Sequence, residues 1–158
     1  MNEASFRSQP AAAGDDRFTI DISDDGQAFT LTFGELQAEV DAGKSPDLVA
    51  ARVFSLVLLL DGAGTGMDVS FATSGYAFVS EGARGFALLS VNGQASVEPF
   101  PPGTDKSFVQ ELRLQARPAG ACHLAVVLLV QRDPASPDAV ALLHPLTVDA
   151  EIHPRGEG

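Results

Sequence analysis

Cysteine is almost absent from this sequence, and its scarcity excludes one class of small protein. The 158-residue chain contains a single cysteine, Cys122, so no second cysteine is present to form a disulfide with it. A scaffold held together by intrachain disulfides is therefore excluded. At this length folding buries roughly 70% of the surface of the unfolded chain, which allows a single hydrophobic core to form without covalent cross-links.

Basic residues are also scarce. Ten of them stand against 21 acidic residues, only Lys44 and Lys106 are lysines, and the formal net charge is −11. Nucleic acids and anionic membranes are poor partners for such a chain, because they are bound largely by Lys and Arg. We therefore predict no nucleic-acid partner and no membrane partner. The acidity is typical of a solubilising surface, and cation binding is the alternative.

Long apolar runs are absent as well. No segment reaches the length of a membrane-spanning helix, and residues 1–16 lack the basic start and the apolar stretch of a signal peptide. These features favour a cytoplasmic location, with secretion after removal of a leader as the alternative. Residues 1–16 are mostly small and polar, which predicts a flexible N-terminal arm.

Apolar residues at every second position are what the sequence does contain. Two stretches, Phe18–Ile22 and Phe29–Phe33, alternate between apolar and polar residues, and the turn-forming segment Asp24–Gln27 lies between them. A period of two is typical of a half-buried strand. These three segments together predict a β-hairpin.

Two further segments, Val53–Leu60 and His123–Val130, are apolar at almost every position. This pattern predicts central strands that are covered on both faces. A buried helix is the alternative for Val53–Leu60, but the run is short and ends at a glycine-rich segment. With the other alternating runs, the predicted total is about nine strands, and no segment shows the pattern of a long amphipathic helix. We predict an all-β fold, an antiparallel β-sandwich, with a closed β-barrel as the alternative. The sandwich is predicted to form a single domain over residues 17–153, followed by a tail at 154–158.

The motifs for nucleotide binding and catalysis are incomplete. The segment Gly43–Ser45 matches the end of a phosphate-binding loop but lacks the loop's first glycine, and the glycines of Gly62–Gly66 lead into an alternating run instead of a helix. The three histidines, His123, His144 and His153, are too far apart in sequence for a local metal motif. No catalytic residue is predicted, and the sequence favours a protein that is not an enzyme.

Four aspartates, Asp24, Asp25, Asp61 and Asp68, lie in or beside predicted turns. If these turns share one end of the sandwich, their carboxylates would offer the oxygen ligands that calcium prefers. The alternative is that they form the turns themselves, because aspartate side chains accept hydrogen bonds from nearby backbone amides. Calcium is the only cofactor that the sequence suggests.

Four aromatic residues, Phe71, Tyr76, Phe78 and Phe86, are the candidate ligand-binding residues. In a barrel they would line an apolar pocket for a small molecule. In a sandwich the same rings would fill the core.

The hairpin of Ile20–Phe33, followed by Gln37–Val40 and a Gly-Lys-Ser-Pro loop, resembles a family of small secreted bacterial and fungal proteins known as domain of unknown function 4360. Ser74–Ala77 and the strand after Cys122 follow in the same order. The resemblance covers roughly residues 18–152. It implies a secreted β-sandwich and no activity.

Our main functional hypothesis is a non-enzymatic binding or assembly module. In it, loops and one sheet face contact another protein or a second copy of this chain. The alternative is a small-molecule-binding β-barrel, or a barrel enzyme, with the aromatic-lined pocket described above.

Overall fold

Eleven β-strands account for most of the structure. The computed structural model describes residues 5–13, 18–61, 67–116 and 120–154, and within these ranges no helix is found. In chain order the strands are β1 (Ser5–Ala13), β2 (Phe18–Ile22), β3 (Ala28–Phe33), β4 (Ala38–Asp41), β5 (Val49–Asp61), β6 (Met67–Val79), β7 (Ala83–Val91), β8 (Gln94–Phe100), β9 (Thr104–Ala116), β10 (Gly120–Arg132) and β11 (Val140–Pro154). Accordingly, none of these residues belongs to a helix able to cross a membrane.

The strands form two antiparallel sheets. The five-stranded sheet has the order β1-β5-β10-β7-β8, and the six-stranded sheet has the order β2-β3-β11-β6-β9, with β4 paired to β11. Inward-facing side chains of both sheets form one continuous hydrophobic core. The predicted antiparallel β-sandwich is therefore confirmed. The alternative, a closed barrel, does not form, because the strands of the described residues pair into two separate sheets.

The alternation read from the sequence builds this core directly. Along β6 and β7 the odd-numbered side chains are buried and the even-numbered ones are partly or fully exposed. Aromatic rings join the two sheets, because Phe54 of β5 lies edge-on to Phe18 and Phe33 of the β2–β3 hairpin, at centroid distances of 5.3 and 4.9 Å. Such edge-to-face pairs add to the stabilisation that burial provides.

A buried glutamine also links the two sheets. Gln110 of β9 is 3% exposed, and its Nε2 donates hydrogen bonds to the backbone oxygens of Ala87 at 3.1 Å and Ser96 at 2.7 Å. Its strand partner on β6, Thr73, is also buried, and its hydroxyl oxygen has no hydrogen-bond partner among the described residues. A polar spot therefore lies inside an otherwise apolar core.

The N-terminal segment differs from its prediction. Residues 1–16 were expected to form a flexible arm, whereas Ser5–Ala13 forms β1 and pairs with β5. Phe6 explains the difference, because its ring is buried edge-on to Phe29 at 4.8 Å and its amide donates to the oxygen of Gly26 at 2.7 Å. One aromatic residue thus joins this segment to the core. Residues 14–17 and 155–158, at the predicted domain boundaries, lie outside the described ranges.

Prolines occupy two irregular positions in the sheets. Strand β8 continues through Pro99 to Phe100, and as an edge strand it tolerates proline because one of its sides needs no partner. In β11 the register shifts between Pro145 and Thr147, so Leu146 is exposed instead of joining Val148 in the core. The bulge inserts one extra residue and changes the parity of the strand.

Candidate functional site

The two strands that are apolar at almost every position are covered on only one face. Over residues 54–60 of β5 and 122–130 of β10 the even-numbered residues, such as Leu58 and Leu128, are buried against the six-stranded sheet. The odd-numbered residues point outward: Val53 is 55% exposed, and Val57 and Val127 are half-buried. The prediction of strands covered on both faces is therefore wrong for the part of the chain that the structure describes.

The strand register places these outward residues in continuous rows. One row runs across four strands as Val53, Val127, Leu88 and Val97. We call the outward side chains of β5, β10, β7 and β8 the apolar face; its central members are Ala51, Val53, Ser55, Ala125, Val127, Leu129, Phe86, Leu88, Ser90, Ala95, Val97 and Pro99. With strands about 4.8 Å apart and residues about 3.3 Å apart, and with Val57 and Leu59 extending it, this face covers on the order of 500 Å². That is at the upper end for the largest apolar patch of a monomeric protein.

The apolar face carries almost no charge. Among the outward side chains described on its four strands, the charged one is Arg84 at one corner, and His123 lies near the opposite end. No carboxylate is found among them, although the chain has 21 acidic residues and a net charge of −11. The negative charge is therefore displaced to other surfaces.

The outer face of the six-stranded sheet carries more polar and charged side chains, although Tyr76, Phe78, Val109 and Leu146 are exposed on it, and we call it the polar face. One row consists of Thr30, Asp149, Ala72 and Glu111, and Thr30 donates a hydrogen bond to Asp149 at 2.7 Å. Polar pairs continue along it, with Ser70 and His153 at 3.0 Å and Asp68 and Arg113 at 3.5 Å. This is the surface expected of a sheet that faces water.

The four candidate ligand-binding aromatics lie in three different parts of the fold: the core, the polar face and the apolar face. Phe71 is buried in the core near Phe29, at a centroid distance of 6.4 Å. Tyr76 and Phe78 are exposed on the polar face, where Tyr76 donates a hydrogen bond to Asp105. Phe86 is half-buried on the apolar face. The structure does not bring the four rings together, because residues 71 and 76 have opposite parity on one strand.

The candidate calcium ligands share one end of the sandwich. The turn that contains Asp24 and Asp25 forms backbone hydrogen bonds with β1 and β11. The first residue of β1 pairs with Asp61, and His153, near the end of β11, pairs with Asp68. The side chain of Asp61 lies outside the described part of the structure. Within that part, no group of three or more His, Cys, Asp or Glu side chains is arranged to hold a metal ion.

Two of these aspartates have partners that account for their positions. Asp25 accepts hydrogen bonds from the Ser23 hydroxyl at 2.6 Å and the Gln27 amide at 3.0 Å, and these bonds, the first above all, hold the pKa of the Asp25 carboxyl below its ordinary value. Asp68 forms an ion pair with Arg113. The geometry of Asp25 is that of a turn-forming residue.

Cys122 and His123 cannot act as a catalytic pair. Cys122 is buried and His123 is exposed, because neighbours on a strand point to opposite faces. Burial raises the pKa of the Cys122 thiol from 9.0 to about 11, which leaves little thiolate near neutral pH. The reactivity of this cysteine in the native state is therefore low.

Comparison with known proteins assigns no family to the chain. No family model matches it and no curated protein matches it, so the resemblance to a secreted family of unknown function stays a prediction. Among solved structures it is similar to CBM35 from Cellvibrio japonicus Abf62, with 13% identity over 100% of both chains and a TM-score of 0.36. Xyl-CBM35 in complex with a glucuronic acid containing disaccharide matches with 13% identity over 99% of both chains and a TM-score of 0.35.

A third solved structure is the enzymatically active domain of bacteriophage CBA120 tailspike protein 4. It is 15% identical, with a TM-score of 0.29, over 92% of this chain and 19% of that one. Likenesses of this size say nothing about what the chain binds. The functional argument therefore rests on the surfaces of the protein itself.

Proposed function

We propose that this protein is a non-enzymatic binding module that associates with a second copy of itself through the apolar face of its five-stranded sheet. The observation that carries the proposal is the width of that face. The side chains that the structure describes on it span four strands without a carboxylate, in a chain whose net charge is −11.

Burying this face is favourable because its side chains are still partly in water. Val53 and Val97 are more than half exposed, and the larger side chains between them are half-buried. Each Å² of apolar surface removed from water stabilises a complex by roughly 25 cal/mol before the costs of association are subtracted. Two faces of on the order of 500 Å² reach the lower limit of about 1,000 Å² for a specific interface.

A second copy fits this face better than a charged partner does. The described side chains of two such faces bring no carboxylates together, so the other, acidic surfaces of both copies stay on the outside of the pair. A two-fold axis that lies in the plane of the interface, parallel to the two sheets, places the same residues on both sides, and two-fold dimers are the commonest homo-oligomers. Sheet faces also pack on one another at a spacing of about 10 Å, as the two sheets of this sandwich do.

Size-exclusion chromatography with light scattering tests the proposal with two matched substitutions. Val97 on β8 and Val109 on β9 are both exposed valines on edge strands, at 57% and 61%, but they lie on the apolar face and the polar face respectively. We expect wild type and Val109→Lys to dimerise and Val97→Lys to dimerise much more weakly. Val127→Lys, at the centre of the face, should raise the dimer dissociation constant by about thirtyfold or more.

Circular dichroism and thermal melts of each variant check that the fold is kept. A wild-type protein that is monomeric at roughly 100 μM would overturn the proposal, since a dimer too weak to form there lies far outside the usual affinity range. Equal dimerisation of Val97→Lys and Val109→Lys would also overturn it, because the interface would then lie elsewhere.

A further inference from the structure

A groove lies at one corner of the apolar face, where β7 begins and β8 and β10 end. Two adjoining depressions of about 220 and 260 Å³ form it, and they share Arg84 and Pro102 in their walls. The charged side chains of Arg84, Arg132 and Asp133 line the first, and rings line the second. The lining rings are Phe86, Pro99, Phe100, Pro101 and Pro102.

Arg84 is the notable group of this groove. Its side chain is exposed, and it forms no ion pair and no hydrogen bond with the residues that the structure describes. In a chain with twice as many acidic as basic residues, an arginine without a carboxylate partner stands out. Its planar guanidinium offers five N–H donors in a geometry that matches a carboxylate.

A second arginine raises the positive charge of the same wall. Arg132 is held by hydrogen bonds to the backbone oxygens of Asp47 at 2.9 Å and Ser45 at 3.3 Å, so its charge is not neutralised by these partners. The opposing group is Asp133, which also lines the groove and accepts a hydrogen bond from the Ala135 amide. With two arginines and one aspartate the groove has a formal charge of +1, against −11 for the whole chain.

We infer that this groove binds a small aromatic carboxylate. The carboxylate meets the guanidinium of Arg84 at the boundary of the two depressions, and the aromatic ring lies against Phe86 and the neighbouring prolines. A charge-assisted, two-point contact of this kind fixes the orientation of the ligand. The apolar wall removes the ring from water, as the walls of small-molecule sites do.

The groove is held in shape by its backbone. The Asp133 amide donates to the oxygen of Gly82 at 2.7 Å, which joins the two polar turns of the groove. On the other side, the Thr104 hydroxyl donates to the oxygen of Pro101 at 2.6 Å and the Gly103 amide donates to the oxygen of Val79 at 2.8 Å. Three prolines add stiffness. A preformed site loses less free energy to ordering when a ligand binds.

Three probes separate the contributions to binding. Benzoate has the ring and the charge, benzamide has the ring without the charge, and acetate has the charge without a ring. In ¹H–¹⁵N NMR titrations of the full chain, we expect benzoate to shift the amide signals of Arg84, Phe86, Phe100 and their neighbours with a dissociation constant near the millimolar range. Benzamide and acetate should bind at least about tenfold more weakly.

Arg84→Gln is the decisive variant, with Arg113→Gln as its control. Arg113 is an exposed arginine on the polar face, so its loss leaves the groove intact. We expect Arg84→Gln to weaken benzoate binding about tenfold or more and Arg113→Gln to leave it unchanged. Benzoate shifts that fall outside the groove, or that survive in Arg84→Gln, would overturn the inference, and so would their absence at roughly 10 mM from both wild type and Val127→Lys.

The groove and the proposed dimer can fail independently. Phe86 and Pro99 belong to both surfaces, so the titration is repeated on Val127→Lys, whose substitution lies outside the groove. Benzoate binding by Val127→Lys supports the groove whatever the oligomeric state of the wild type. Its absence in both proteins overturns the groove and leaves the dimer proposal to the light-scattering result.

Discussion

The two outer faces of this sandwich are built on the same strand geometry from opposite sets of residues. Inward positions of both sheets are mostly aliphatic or aromatic, as a core requires, with Thr73 and Gln110 as polar exceptions. Outward positions on β6, β9 and β11 are mostly polar or charged, whereas those on β5, β10, β7 and β8 are mostly Val, Leu and Ala. The fold requires only the inward-facing residues to be apolar. The outward-facing residues are therefore the ones in which we look for the function of the protein.

We expect the largest loss of stability from a substitution that adds an atom between β6 and β11, on the core side of the six-stranded sheet. A Cβ added at Gly75 would lie 2.5 Å from the oxygen of His144 and 2.6 Å from the Cα of Pro145, and both are backbone atoms. We expect Gly75→Ala to lower the free energy of unfolding by about 3 kcal/mol, the upper part of the range for overpacking.

Urea denaturation measures this change, and Gly120→Ala on the five-stranded sheet is the control. A Cβ at Gly120 meets nothing within 4 Å. Its effect should stay within about 0.5 kcal/mol. Similar losses for both variants would show that the strand spacing at Gly75 is not the constraint that we describe.

The next effect concerns the core side of the five-stranded sheet and depends on pH. Because the pKa of Cys122 is about 11 in the native state and 9.0 ordinarily, the native state keeps its proton between these values while the unfolded chain releases it. This part of the stability is fully present below pH 9 and is lost as the pH rises towards 11, on the order of 2 kcal/mol. Urea midpoints across that window should fall more steeply for wild type than for Cys122→Ala; parallel curves would contradict the assignment.

A smaller change in stability should distinguish a core-facing threonine of the six-stranded sheet from an exposed one. The Thr73 hydroxyl is buried without a hydrogen-bond partner among the described residues, so Thr73→Val removes a desolvated polar group at nearly constant volume. We expect the free energy of unfolding to rise by about 1 kcal/mol. The same substitution at Thr32, exposed on the polar face, should have little effect in the same thermal or urea melts. A loss of stability in Thr73→Val would mean that its hydroxyl is hydrogen-bonded after all.

The smallest expected effect is that of calcium on the acidic end of the molecule. Asp25 is engaged by Ser23 and Gln27, and Asp68 by Arg113, so these carboxylates already have partners. We expect thermal melts in calcium and in chelator to overlap at fixed ionic strength. An upward shift with calcium but not with matched sodium would instead establish a cation site that includes Asp24 or Asp61, because binding to the native state alone raises stability.

The positions of the strands could be predicted from the sequence more accurately than what covers each face of a strand. The hairpin of β2 and β3 could be found because alternation and turn residues coincide within 16 residues, and both are local signals. By contrast, apolar residues on both faces of β5 were interpreted as burial on both faces. A single strand cannot show whether its second apolar face meets another layer of its own chain or is exposed.

The candidate sites show the same limit. Parity alone separates Phe71 from Tyr76, so their separation could have been derived from the sequence once both were assigned to one strand. The meeting of Arg84, Phe86 and Pro102 could not, because it depends on which strand ends lie side by side. Likewise, the strand at Ser5–Ala13 depends on one long-range contact of Phe6, which no local pattern predicts.

The place of β11 in the six-stranded sheet sets the order of events during synthesis. It is the last strand described, yet it lies between β3 and β6 and also pairs with β4. Until β11 has left the ribosome, β3, β4 and β6 each have an edge that is not hydrogen-bonded to it. In the same way, one edge of β5 is unpaired until β10 has been synthesised. Non-local pairings of this kind make folding slow, and waiting strands with open edges and apolar side chains are prone to aggregate. The open edges of β3, β4 and β6 are therefore the parts of the nascent chain at greatest risk of aggregation until β11 emerges.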